Sequence, residues 1–244
     1  MSNLHGKIAL VTGASRGIGR SIARRLGQEG ATIIVNYKTN AEKAQEVVHE
    51  IATVGGLAYA IQADVSKVAD IQALFQQIED RFGTLNILVN NAGTTVLSSI
   101  QETTEEEYDR VFAVNTKGVF FALQEAAKRM RDGGRIINIS SGATVAITPG
   151  FGVYAATKGA IEQFTYVLAR ELGARGITVN AVLPGLVETE GLVLPPEELD
   201  KLIASTPLGR MAQSQDIADI VAYLASEQSR WITGQAIRAA GGLI

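Results

Sequence analysis

The stretch Lys7-Ile8-Ala9-Leu10-Val11-Thr12-Gly13-Ala14-Ser15-Arg16-Gly17-Ile18-Gly19 decides how this chain folds. Its first half is an apolar run with no polar partner face, the pattern of a strand buried on both sides of a parallel sheet. Its second half is a glycine-rich turn that opens amphipathic helical spacing from Ile18 to Glu29. Glycines at a strand–turn–helix junction allow a tight turn and a close backbone approach, and the helix N-terminus behind them favours a pyrophosphate. The spacing G-x-x-x-G-x-G departs from the commoner G-x-G-x-x-G, so the strand before it and the helix after it carry part of the argument.

Outward from this unit the same rhythm repeats. Further strands are expected at Ala31–Tyr37, Leu57–Asp64, Leu85–Gly93, Arg135–Ser141, Ile177–Gly185 and Gln235–Ala239, with helical spacing at Ala41–Thr53, Val68–Phe82 and Thr104–Met130. Strands separated by helices imply right-handed crossovers. The expectation is an α/β, doubly wound Rossmann fold with a seven-stranded parallel sheet flanked by helices. No linker, repeat or low-complexity stretch interrupts it, so residues 1–244 read as a single dinucleotide-binding catalytic domain. One region breaks the rhythm: residues 186–213 hold adjacent prolines, Pro195 and Pro196, and a short acidic helical piece. An insertion after a strand's carboxyl end is where open α/β folds keep substrate lids.

Composition narrows the function. Of 244 residues, 46% are apolar and 19% charged, enough for one large core, and the net charge of -3 argues against nucleic acid as a partner. The absence of cysteine excludes disulfides and thiolate chemistry, and the two histidines, His5 and His49, sit in polar surroundings unsuited to a triad or a metal site. No metal site, membrane span or secretory leader is expected, and the cytoplasm is the expected address.

The end of the second strand addresses the cofactor. A dinucleotide site for NAD carries an acidic residue about 20 positions past the glycines. This chain reads Val35-Asn36-Tyr37-Lys38-Thr39-Asn40 there, with no carboxylate to repel a 2′-phosphate. Arg16 and Lys38 are cations suited to that phosphate. NADP(H) is favoured over NAD(H); the alternative is that Lys38 is an ordinary solvated charge.

At this point the blocks Thr12–Gly19, Asp64-Val65, Asn90-Asn91-Ala92-Gly93, Asn115, Ser141, Tyr154-Ala155-Ala156-Thr157-Lys158 and Pro184-Gly185 with Thr189 resemble, in order and spacing, the short-chain dehydrogenase/reductases. The similarity covers almost the whole chain. Its nearest branches reduce 3-oxoacyl groups on acyl carrier protein, or ketones with NADPH. The resemblance implies that Asn115, Ser141, Tyr154 and Lys158 are catalytic, with Ser141 holding the substrate oxygen and Asn115 a relay water. It implies cofactor contacts from Gly13, Ser15, Arg16, Gly17, Ile18 and Gly19, from Asn36, Tyr37 and Lys38, and from Asp64 and Val65 beside the adenine. Asn91, Ala92 and Gly93 are added at the fourth strand's end, Tyr154 and Lys158 at the ribose, and Pro184, Gly185, Val187 and Thr189 at the nicotinamide.

Tyr154 and Lys158 are four residues apart and share one helix face. An ammonium about 4 Å from a phenol is worth on the order of 4 kcal/mol. At about 1.4 kcal/mol per unit, it is expected to lower the tyrosine pKa by up to about three units before desolvation takes some back. Tyr154 then gives a proton to a carbonyl being reduced, or takes one from an alcohol being oxidised. Two other readings stand beside ketone reduction: a non-catalytic dinucleotide-binding regulatory protein, and an alcohol or polyol dehydrogenase working oxidatively. Relatives that reduce a carbon–carbon double bond usually space the Tyr and Lys differently. Where relatives commonly end in Asp-Gly-Gly, this chain has Ala240-Gly241-Gly242, which removes a carboxylate from that edge. A homotetramer is nonetheless expected, because Ile161, Phe164, Val167, Leu168 and Leu172 enrich the helix after Tyr154 in apolar residues.

Overall fold

The computed structural model describes residues 4–190 and 196–244. In chain order the elements are β1 (Ile8–Val11), α1 (Gly17–Gln28), β2 (Thr32–Tyr37), α2 (Ala41–Thr53), β3 (Leu57–Gln62), α3 (Val68–Phe82), β4 (Ile87–Asn90) and α4 (Glu105–Phe112). A π-helical segment (Ala113–Gly118) joins α4 to α5 (Val119–Arg129), followed by β5 (Arg135–Ile139), α6 (Ala143–Ala146), α7 (Gly152–Leu172) and β6 (Thr178–Pro184). The last elements are β7 (Val187–Glu188), α8 (Pro196–Ser205), β8 (Ala212–Gln213), α9 (Ser214–Ala225) and β9 (Gln235–Ala239).

The main sheet is parallel throughout and runs β3-β2-β1-β4-β5-β6-β9. The seven expected strands are the seven of the main sheet: Gln235–Ala239 keeps its bounds, and the others are shorter by one to five terminal residues. Alternate residues of one strand serve opposite layers: Ala9 and Val11 pack with α1, α2 and α9, while Leu10 packs with α3, α5 and α7. Both faces of β1 are therefore dry, which is why its sequence has no polar side. Truncating a fully buried leucine such as Leu10 to alanine costs about 2–5 kcal/mol.

The chain winds outward from β1 in one direction through β2 and β3, and in the other through β4, β5 and β6. At this reversal the loops after β1 and β4 diverge and leave a crevice beyond the strands' carboxyl ends, the place such sheets reserve for ligands.

One expectation needs revision, and another gains detail. The single helix Thr104–Met130 starts as expected, with Thr104 capping and Glu107 returning the bond, but its winding widens into the π segment around Asn115. The expected lid contains α8 and a small ladder pairing Val187 with Ala212 and Glu188 with Gln213. Pro196 opens α8, whereas Pro195 lies outside the described residues, as does the rest of 191–195. Among the described residues no helix is long and apolar enough to cross a membrane, and no cluster of metal-binding side chains occurs.

Candidate active site

The turn after β1 is braced before any ligand arrives. Thr12 Oγ1 accepts the backbone N–H groups of Asn91 and Ala92, each at 3.0 Å. The Asn91 amide donates back to the carbonyls of Thr12 and Gly13. Gly19 is required here, because a Cβ would stand 2.4 Å from Asn91 Nδ2 and 2.6 Å from the Gly13 oxygen. Gly13 adopts φ +63°, and its bare Cα faces Ala92.

Around this turn runs a cleft of about 670 Å³, lined by residues 13 and 15–19, by Asn36 to Asn40 and Lys43, by Ala63 to Val65, by Asn91 to Thr94, and by Arg110, Val114, Thr189 and Glu190. Fifteen expected cofactor residues line it, from Gly13 through Thr189. The Asn36 side chain is largely committed to the protein: it accepts from Gly13 N at 3.2 Å and donates to the carbonyls of Ile61 and Ala63. Where the cleft passes the ends of β2 and β3, Lys38 Nζ lies 2.9 Å from Asp64 Oδ2. Burial works to raise the Asp64 carboxyl, but hydrogen bonds from Ser66 and Lys38 win and hold it below the usual range.

The other five expected residues are not part of this lining. Val187 is buried in the core opposite Ala212, so its side chain does not border the cleft. Pro184 ends β6 and its carbonyl accepts from Gly142 N, while Gly185 abuts Ala240. Tyr154 and Lys158 stand behind the cleft, with Lys158 Nζ 3.5 Å from the position of a Cβ on Gly93. Sequence reasoning missed Thr94, Arg110, Val114, Lys43 and Glu190. The last two meet across 147 residues, a distance no local pattern signals.

The catalytic candidates converge where β5 ends beside α7. Asn90 Nδ2 donates to Asn138 Oδ1 and Asn138 Nδ2 to Thr165 Oγ1, both at 2.9 Å, which ties β4, β5 and α7 together. Ser141 is hydrogen-bonded to the Tyr154 phenol. Asn115 is fully buried; its Oδ1 accepts from Thr94 N at 2.9 Å, and its Nδ2 donates to Thr94 O at 2.8 Å and Thr157 Oγ1 at 3.1 Å. Its side chain therefore brackets the loop after β4 to the helix that carries Tyr154.

The electrostatics correct the expected sign. Burial raises the Tyr154 pKa, and the bond from Ser141 offsets only part of this. Burial lowers Lys158 to about 8. The ammonium donates to Ile139 O at 2.8 Å and sits 5.7 Å from the Tyr154 ring centre. In a dry site both groups pay for charge, and desolvation outweighs the attraction that helical spacing suggested. Nearby, Ile147 is held at φ 44° with its side chain 86% exposed, a strained conformation for a β-branched residue beside the catalytic corner.

The model of the protein family described as Enoyl-(Acyl carrier protein) reductase matches residues 13–244. The chain is 46% identical to the hydroxynaphthalene reductase-like protein Arp2 of Metarhizium brunneum, covering 99% of this chain and 96% of that one. It is 44% identical to the 3-oxoacyl-[acyl-carrier-protein] reductase FabG of Staphylococcus aureus, over 97% and 98% of the two chains. The crystal structure of the angucycline C-6 ketoreductase LanV with bound NADP superposes with a TM-score of 0.94 at 45% identity, covering 99% of this chain and 97% of that one.

Proposed function

The chain belongs to the short-chain dehydrogenase/reductase family, and on that premise we propose that it reduces a ketone to a secondary alcohol with NADP(H), using Tyr154 as the acid. The observation that carries this reading is the Tyr154–Ser141 hydrogen bond, with Lys158 one helical turn along against Gly93 at the cleft. The residues fit the cofactor: Gly13 and Gly19 leave room for a pyrophosphate, and Arg16 and Lys38 line the end that suits a 2′-phosphate.

When bound, NADPH supplies the hydride. The protein's part is placement and protons. Ser141 holds the ketone oxygen, and Tyr154, kept protonated by burial, passes its phenolic proton to that oxygen as negative charge grows there. The Lys158 ammonium stabilises the phenolate that remains. Asn115 acts as a positioning residue by fixing Thr94 and Thr157. The same groups run in reverse for alcohol oxidation. A purely regulatory dinucleotide binder has no need of Ser141, Tyr154 and Lys158 together.

The substrate class is a 3-oxoacyl thioester or a similar ketone, matching the names of relatives on both sides of that choice. The whole chain acts as one catalytic domain with residues 186–213 as its substrate lid, in the cytoplasm. A homotetramer is supported by part of the expected apolar face. Ile161, Leu168 and Leu172 are spent on the chain's own core, but Val167 is 55% exposed, and Phe120, which meets Phe164 at 5.4 Å, is 43% exposed. Sedimentation at the mass of one 25.9 kDa chain overturns the tetramer.

The activity is tested by following NADPH oxidation over acetoacetyl thioesters, aryl ketones, diketones and quinones. Tyr154→Phe is expected to lower turnover by about 10²–10⁴-fold with cofactor binding retained. Undiminished turnover in that variant removes the mechanism.

A further inference from the structure

Two of the cations lining the cleft, Lys38 and Lys43, are already paired. Lys38 is paired with Asp64, and Arg20, one turn into α1, with Glu50. Lys43, three residues past the α2 cap Asn40, lines the same cleft, and its ammonium lies 2.9 Å from the Glu190 carboxylate. Glu190 arrives from the far side, two residues after β7. Its neighbour Thr189 lies across the glycine turn, with Cγ2 3.8 Å from the position of a Cβ on Gly17. The strap 187–190 thus crosses the mouth of the cofactor turn and ends on a cation of α2. The bond and charge of Lys43, and then the charges of Arg16 and Arg20, hold the Glu190 carboxyl below its usual range.

A dianionic 2′-phosphate entering here needs the cation that Glu190 occupies. A cofactor lacking that phosphate brings only its pyrophosphate, which the glycine turn and the helix N-terminus behind it take. We infer that Glu190 is an internal competitor of the cofactor's 2′-phosphate, holding Lys43 in the free protein and yielding it when NADP(H) binds. The carboxylate thereby sets how strongly the chain discriminates NADP(H) from NAD(H), and makes release of the strap a consequence of the phosphate itself. This inference rests on the NADP(H) reading.

The test titrates wild type, Glu190→Gln, Lys43→Met and the double variant with 2′,5′-ADP and with 5′-AMP by calorimetry at low ionic strength. Glu190→Gln is expected to tighten 2′,5′-ADP by about two- to fivefold, the worth of one exposed ion pair, and to leave 5′-AMP unchanged. Lys43→Met is expected to weaken 2′,5′-ADP by a similar factor, and Glu190→Gln to have a smaller effect on that background than alone. Both effects are expected to fade at about 1 M salt, where charges are screened within about 3 Å. The inference fails if Glu190→Gln leaves 2′,5′-ADP binding as it was, or shifts both nucleotides equally, as bulk rather than charge would. If wild type binds 5′-AMP as tightly as 2′,5′-ADP, the NADP(H) reading fails with it. A clear wild-type preference that ignores Glu190 overturns the competitor alone.

Discussion

Lys158 Nζ donates a 2.8 Å hydrogen bond to the carbonyl of Ile139, and it is this bond, at the end of β5, that holds a buried ammonium near Tyr154. Its depressed pKa of about 8, against 10.5 in an exposed lysine, is also a statement about stability. Above pH 8 the folded protein holds fewer protons than the unfolded chain, so stability rises with pH until the unfolded lysine titrates. The rise totals about 3 kcal/mol by pH 10.5. Tyr154 has the opposite sign: its raised pKa adds stability that is lost once pH exceeds the ordinary phenol value of 10.0. Urea unfolding from about pH 7.5 to 9.5 therefore isolates the lysine. Wild type is expected to stabilise across that range and Lys158→Met to stay flat; parallel profiles argue against a buried titrating lysine.

Gly19→Ala introduces a Cβ 2.4 Å from Asn91 Nδ2 and 2.6 Å from the Gly13 oxygen. Neither can retreat without opening the bonds that join the turn to β4. The expected cost is about 1–3 kcal/mol of stability, with loss of measurable NADP(H) binding. Denaturant midpoints and nucleotide titration check it, and an alanine variant that binds normally shows the turn to be looser than described.

Asn115→Ala strips partners from the Thr94 N–H and carbonyl and from Thr157 Oγ1. Each unmet buried group costs about 1–3 kcal/mol. If Asn115 positions rather than reacts, kcat falls because Tyr154 shifts, and the pH profile keeps its shape. A displaced profile with unchanged stability points instead to direct proton handling.

Ile147→Gly relieves a left-handed β-branched residue, a gain of roughly 1–2 kcal/mol that is partly offset by the greater freedom of glycine when unfolded. Thermal unfolding is expected to move up by a few degrees. A fall in Tm means that the Ile147 side chain makes contacts worth more than its strain.

How much of this was legible in advance follows from the range of the forces involved. The strands were readable because a sheet covered on both faces leaves its mark on every residue of Ile8–Val11. The glycine turn was readable because Gly13 and Gly19 answer to contacts within one βα unit and its neighbouring strand. The pairing of Tyr154 with Lys158 followed from helical spacing, but their protonation did not. Spacing reports distance along a helix, while the pKa of each group is set by the dry packing around it. Lys43 and Glu190 were invisible for a related reason, since only the folded crevice brings them together. The burial of the Val187 side chain was not readable either, because a motif match carries a residue's neighbourhood and not the direction of its side chain.

The wide π turn at Ala113–Gly118 has a consequence for how this chain can vary. It stores one residue more than regular winding accommodates, and a regular helix advances about 100° per residue. Removing one residue there would let the coil relax into ordinary geometry and leave the helix beyond it facing as it does now, whereas the same loss from a regular helix would turn everything that follows by about 100°. The apolar stripe of Val119, Ala122, Leu123 and Ala126 would stay against the sheet it now covers. The burden of such a shortening would fall on the placement of Asn115 inside the wide turn, not on the core beyond it, so this stretch can lose one residue where the regular turns of α5 cannot.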